Sequence, residues 1–210
     1  MTPEQITAFV TLFVIIDPIG LAPIFVALTT GIPAPQRRKI ALRAVLLAFA
    51  LLALFGFFGQ ALLNAVGIGM PAFRISGGIL LFLIAVEMLF ERRRARREKQ
   101  AEEAEAEEAH SDPSVFPLAL PLLAGPGALA TVILLMERNA GDLPAQLSLL
   151  GVAAIVLGIA YILFMSASLI ERVLGQTGVN VVTRLLGVLL AALSVQFVVD
   201  GLRDLGVLAG

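Results

Sequence analysis

Residues 14–24 read V-I-I-D-P-I-G-L-A-P-I. An acid, a glycine and two prolines sit inside an apolar run. Whether that run belongs to a soluble core or to a lipid-spanning helix decides the fold. Of the 210 residues, 59% are hydrophobic, and the mean hydropathy is +0.95. A soluble domain of this size cannot hide so much apolar surface, because much of its area must face water. A bilayer core about 30 Å thick needs roughly 20 apolar helical residues per crossing. Six stretches qualify: 6–29, 40–64, 72–90, 115–136, 146–170 and 181–202. The sequence therefore predicts an all-α membrane protein of six transmembrane helices, with Asp17 half-way along the first.

The formal net charge of −1 carries little information; the placement of the charges carries more. Cytoplasmic loops are enriched in Lys and Arg. With the N-terminus outside, the inner loops hold Arg37, Arg38, Lys39, Arg43, Arg92, Arg93, Arg94, Arg96, Arg97, Lys99, Arg172 and Arg184. The outer side then holds Arg74, Arg138 and Arg203, twelve cations against three. Both termini are expected outside, in the periplasm or its equivalent. The N-terminus has no basic n-region and no small-residue cleavage site, so the first apolar segment is expected to persist in the mature protein.

Residues 91–114 form the one low-complexity segment, basic and then acidic. Its simplest reading is a solvated, partly helical cytoplasmic linker, with Arg92 to Arg97 anchoring the third helix at anionic headgroups. A partner-binding role is the alternative. The chain thus divides into 1–90, a first three-helix unit; 91–114, the charged loop; and 115–210, a second three-helix unit.

Three spans per unit is an odd number, so homologous halves must insert with opposite orientation. F-R-I-S-G-G-I-L-L opens the third span and T-R-L-L-G-V-L-L the sixth, aligning Arg74 with Arg184 and Gly77 with Gly187. Helix breakers recur near the centres of the first and fourth spans, D-P-I-G at 17–20 and A-G-P-G-A at 124–128. Pro18 and Pro126 are 108 residues apart, and Arg74 and Arg184 are 110 apart. The matched spacing predicts an inverted 3+3 repeat with broken first and fourth helices.

Pro18 removes a backbone donor and pushes Asp17 away from helical angles. Pro23 is expected to add a second break, and Pro121 precedes Gly125-Pro126-Gly127 by one turn. Irregular backbone at that depth must line a protein-buried or water-filled cavity, since unsatisfied amides are too costly in lipid. Half-helix N-termini suit a carboxylate and half-helix C-termini suit a cation. Paired breaks near the midplane therefore suit a small zwitterion. The candidate substrate-binding residues are Asp17, Pro18, Ile19, Gly20 and Pro23 in the first span, and Gly125, Pro126, Gly127, Ala128 and Thr131 in the fourth. Ser76 and Gly77 join them from the third.

A mid-membrane acid is a functional candidate by default. Asp17 can take a substrate ammonium or carry a coupling H+. It can equally be a local cap, accepting backbone N–H bonds ahead of Pro18. Glu87 is placed to snorkel or to pair with a nearby Arg. Ser194 and Gln196 suit interhelical hydrogen bonds, Arg74 and Arg184 suit span starts at the interface, and Gly56, Gly59, Gly151, Gly158 and Gly187 suit close helix packing.

These motifs bear a family likeness. D-P-I-G-x-x-P (17–23), F-R-I-S-G-G-I-L-L-F (73–82), P-L-A-L-P-L-L-A-G-P-G-A-L-A-T-V-I (117–133) and R-L-L-G-V-L-L-A-A-L-S-V-Q-F (184–197) resemble the MarC family of bacterial and archaeal membrane proteins. The resemblance covers nearly the whole chain outside 91–114. It implies six helices in an inverted repeat, an inner-membrane location, and secondary transport of small neutral amino acids such as glycine and alanine, as in members of the SnatA type, coupled to H+ or Na+. It places the two family motifs on Asp17, Pro18, Gly20 and Pro23, and on Gly125, Pro126, Gly127 and Ala128. Many members carry Asn where this chain has Leu21, which removes a polar side chain beside the expected site.

Other classes fit less well. With no Cys and only His110, inside the charged run, there is no Ser-His or Cys-His unit and no thiolate or His metal site. One central acid does not make an aspartyl dyad. No enzyme activity, cofactor, metal or nucleic-acid partner is expected; the expected partners are the bilayer, a small zwitterion and a coupling ion. A structural or regulatory membrane protein, and a channel or exporter for another small solute, are the remaining alternatives.

Overall fold

A computed structural model describes residues 2–93, 95–99 and 112–208. Among them all regular structure is helical. The elements are α1 (Pro3–Ile16), α2 (Pro18–Leu28), α3 (Ala34–Ala65), α4 (Met70–Leu89), α5 (Ser114–Leu123), α6 (Pro126–Arg138), α7 (Leu143–Met165) and α8 (Ala167–Asp204). Five helical stretches are long and apolar enough to cross a membrane: Pro3–Leu28, Ala34–Ala65, Met70–Leu89, Leu143–Met165 and Arg172–Asp204. A sixth forms if α5 and α6, bent by 59° at their junction, count as one span. The six expected spans map onto these segments. Residues 100–111, with the acidic half of the loop and His110, lie outside the described residues, as does Arg94.

Local chemistry sets the ends of the helices. Thr2 and Gln5 cap α1 reciprocally, with Gln5 N donating to Thr2 Oγ1 at 3.3 Å and Thr2 N donating to Gln5 Oε1 at 2.8 Å. The end of α3 is closed by Gly67 (φ 76°), which lets Ile68 N reach back to the Leu63 carbonyl at 2.9 Å. In α5, Phe116 and Leu120 are extended (φ −129° and −122°) because each precedes a proline. The segment advances in wide turns instead, with Ala124 N bonded to the Ala119 carbonyl at 2.9 Å.

Pro23 does not break the first span, contrary to the sequence reading; α2 runs through it to Leu28. Transmembrane helices tolerate proline where neighbouring groups or small adjustments of the turn re-satisfy the freed carbonyl. The first span is interrupted at Asp17 alone.

Helix α6 and the stretch on either side of the first break sit at the centre of the bundle. Along α6, residues Ala130–Met136 are all buried, and Leu12, Ile16, Leu21, Ile24 and Phe25 are almost fully so in α1 and α2. Phe25 and Phe164 stack at 4.7 Å between α2 and α7. A Cβ at Gly56 or Gly59 of α3 would press on Val132 or Ile133 of α6. The α4 and α8 backbones run antiparallel in close contact. A Cβ at Gly78 would lie 2.8 Å from the Ser194 carbonyl, at Gly187 2.9 Å from Met88 Cβ, and at Gly201 3.0 Å from the Pro71 carbonyl. Gly151 and Gly158 differ: nothing lies within 4 Å of a Cβ at either, so they are not packing positions. Leu46, Leu54, Phe57 and Phe58 of α3, Phe82 and Leu83 of α4, and Leu185 and Val188 of α8 leave a broad apolar exterior suited to lipid.

Arg74, in the first turns of α4, is buried rather than open at the surface. It is 9% exposed and joins three helix ends, pairing with Glu137 of α6 at 2.6 Å and with Asp204 of α8. Arg184, which is exposed, pairs at 2.8 Å with Glu91, just past the end of α4, from the middle of α8.

Candidate functional site

Asp17 ends α1 and starts α2 in a single left-handed residue (φ 54°, ψ 62°). Asp is among the few residues that visit this region at modest cost, because its short side chain bonds locally. Its Oδ1 accepts from Gly20 N at 3.1 Å, so it does cap α2, with Pro18 at the first helical position. Gly20 must be glycine here, since a Cβ would run into the Asp17 carboxylate. Ending α1 at this point also leaves the Ile15 and Ile16 carbonyls at a helix C-terminus, where the dipole favours cations.

Two cations meet them. Arg97 donates to Asp17 Oδ2 at 3.2 Å and to the Ile16 carbonyl at 3.2 Å. Arg93 donates to the Ile15 carbonyl and to Met88 Sδ, the latter at 2.8 Å. Asp17, Arg93 and Arg97 are 2%, 7% and 8% exposed. These arginines were expected at the headgroups; they turn inward instead. The described residues from Arg92 to Lys99 are helical, and positions 93 and 97 share a face while Arg92 and Arg96 face outward. Arg96 pairs with Glu87 at 2.7 Å, the partner foreseen for that acid. Sequence reasoning missed Arg93 and Arg97. The signal was available, because a buried acid needs a counter-charge and two cations four residues apart offer one.

The second break is built differently. Gly125 precedes α6 in extended conformation, and no side chain caps that end. Pro126 has no N–H, so the amides of Gly127 and Ala128 are the first free donors. A Cβ at Gly125 would lie 2.5 Å from the Pro121 carbonyl, and one at Gly127 2.7 Å from Ile84 Cδ1. Gly125 thus allows a close backbone approach that a Cβ would block, whereas Gly127 is crowded only by the end of a flexible side chain.

A cavity of about 200 Å³ lies beside the first break, lined by Asp17, Gly20, Glu91, Asn180 and Thr183. Another, of about 100 Å³, lies at the second break against Gly125, Pro126, Gly127 and Ala128. Arg93 and Arg97 line both. The two breaks are thus neighbours with the arginine pair between them. They sit toward the Leu89 end of α4: Gly127 faces Ile84 and Leu81, and Met88 lines the Asp17 cavity. Within their own spans, Pro3–Leu28 and Ser114–Arg138, the breaks fall near the middle, as expected.

The remaining candidates lie elsewhere. Pro18 is buried and Ile19 and Pro23 are half-buried, with none lining either cavity. Thr131 is buried, and its hydroxyl donates to the Gly127 carbonyl at 2.8 Å within α6. Ser76 is exposed and bonds the Phe73 carbonyl at 2.9 Å. Gly77 packs α4 against Leu134. Leu21 is buried in the apolar core, outside both linings. Ser194 bonds its own helix at the Ala191 carbonyl, and Gln196 bonds Asp200 four residues on. Among the described residues no cluster of acids or His could hold a metal ion.

Comparison with known proteins agrees with this architecture. The family model described as "MarC family integral membrane protein" matches residues 3–205. A UPF0056 membrane protein of Aquifex aeolicus is 38% identical over 201 residues, 95% of this chain and 92% of the relative. UPF0056 membrane protein YvbG of Bacillus subtilis is 35% identical, covering 94% and 93%. UPF0056 inner membrane protein YhgN of Escherichia coli is 35% identical, covering 95% and 96%. No solved structure matches. The chain is an integral membrane protein and belongs to the MarC family.

Proposed function

We propose that the protein is a secondary transporter of small neutral amino acids such as glycine and alanine, with H+ or Na+ as the coupling ion. The observation that carries the reading is the pairing of two opposite helix ends beside adjoining cavities. The C-terminal carbonyls of α1 and the Asp17 carboxylate suit an ammonium. The uncapped N-terminus of α6, with the Gly127 and Ala128 amides, suits a carboxylate. Cavities of about 200 and 100 Å³ suit a small solute.

An inverted 3+3 repeat is part of this proposal. The α4–α8 seam supports it: under the 110-residue offset, the contact of Gly78 with Val198 exchanges with that of Gly187 with Met88 to within one residue. Both termini are placed outside on the Lys and Arg distribution, and the membrane is the inner one by analogy with the name of the Escherichia coli relative.

The test is counterflow of labelled glycine and alanine in proteoliposomes, with imposed H+ and Na+ gradients. Saturable, gradient-dependent accumulation is expected; flux no greater than in empty vesicles across a panel of small solutes overturns the reading. One observation favours a second reading, a membrane protein that does not transport: the chain's own arginines fill the first break. That reading predicts silence in the same assay.

A further inference from the structure

The break in the first span has a carboxylate, two helix-terminal carbonyls and a filled position between them. Arg97 spans Asp17 Oδ2 and the Ile16 carbonyl, while Arg93 takes Ile15. A guanidinium and a primary ammonium seek the same acceptors: anionic oxygen and carbonyl oxygen. Beside Arg97 is the cavity of about 200 Å³, large enough to receive its displaced head group, since one water takes about 30 Å³ of liquid. Asn180 and Thr183 of α8 also line that cavity, and Thr183 Oγ1 is buried with no hydrogen-bond partner. A polar atom left unpaired beside a roomy polar cavity is where a displaced donor finds an acceptor.

We propose that Asp17 and the Ile15 and Ile16 carbonyls form an ammonium subsite that Arg97 occupies in the structure and yields to the amino group of the substrate. Arg97 is a tethered competitor. It keeps the acid paired when substrate is absent, and it lowers apparent substrate affinity by the fraction of time it holds the subsite. The identity of the substrate rests on the transporter reading; the cation chemistry of the subsite does not.

The experiment measures binding to full-length purified protein, with labelled alanine, methylammonium and methylguanidinium as probes. Arg97→Ala is expected to bind alanine about tenfold tighter than the wild type, the gain from freeing a site occupied about nine-tenths of the time. Methylguanidinium is expected to compete with alanine in that variant, and neither methyl cation is expected to bind Asp17→Asn/Arg97→Ala. Because the protein has no cysteine, Arg97→Cys gives one labelling position. Alanine is expected to slow its modification; attaching an aminoethyl group is expected to restore weak alanine binding, and attaching a neutral methylthio group is not.

Alanine binding that is unchanged or weaker in Arg97→Ala overturns the subsite and leaves the transporter reading standing. Methylguanidinium binding that needs Asp17, with no amino acid binding to any form, supports the subsite and overturns the amino-acid reading. Failure of both methyl cations to bind Arg97→Ala overturns the subsite outright. If Arg97→Ala does not fold, Arg97→Gln removes the charge while keeping a polar side chain and gives the same readout; no tightening there overturns the inference.

Discussion

Arg97 and Asp17, 80 residues apart in sequence, form a buried ion pair at 3.2 Å across the break in the first span. The pair closes the C-terminus of α1, and removing one member strands the other. Asp17→Ala leaves Arg97 without its carboxylate and Gly20 N without its acceptor, and is expected to lower stability by about 3–5 kcal/mol. Asp17→Asn keeps an acceptor for Gly20 and tolerates the left-handed angles, so it is expected to fall between the alanine variant and wild type. Thermal unfolding of detergent-solubilised protein ranks the three.

The two breaks differ in their tolerance of a methyl group. Gly20→Ala drives a Cβ into the Asp17 carboxylate, which the hydrogen bonds hold in place. A loss of about 1–3 kcal/mol is expected, as for other overpacked sites. Gly127→Ala meets Ile84 Cδ1, the far end of a flexible side chain that can swing aside. Its loss is expected to be smaller, and the same unfolding measurement compares them.

Glycine-to-alanine changes also separate packing from accident. Gly78→Ala meets backbone atoms of α8 at Ser194 and Val198, and is expected to cost about 1–3 kcal/mol. Gly151→Ala and Gly158→Ala meet open space within α7. They are expected to be neutral or to stabilise by about 0.5–1 kcal/mol, since alanine loses less backbone entropy in a helix. Equal losses at all three positions would contradict the α4–α8 seam.

Asp112, at the start of the second half, titrates outside the spans. The Ser114 hydroxyl at 2.7 Å, with the Ser114 amide and Arg43, holds its carboxyl below the ordinary 3.8. A depressed folded value adds stability that is complete above the unfolded value and disappears as pH falls through the folded one. Melting temperature is therefore expected to drop below about pH 4. Ser114→Ala is expected to flatten that drop and leave neutral pH little changed, as pH-dependent melts of the two proteins can show.

The spans were legible because length and apolarity alone select them, and the breaks because Pro and Gly advertise themselves. The cap at Asp17 was legible from Pro18 and Gly20 beside it. Pro23 misled because its consequence depends on what surrounds it, and α2 simply continues through it. Arg93 and Arg97 were lost in a run of like charges: composition reads such a run as one solvated face, whereas the fold sorts it by helical period into an inward pair and an outward pair. Gly151 and Gly158 show the same limit, since a glycine in a span packs only where another backbone is opposite.

The glycines of α4 and α8 have a mechanical consequence. Backbones this close interlock at Gly78, Gly187 and Gly201, and the ion pairs Arg74–Asp204 and Arg184–Glu91 pin the seam at its two ends. Sliding or rolling one helix on the other would force atoms together at three levels at once. On the transport proposed above, the pair is expected to act as a stator, and the stroke to belong to the broken helices that lie against it.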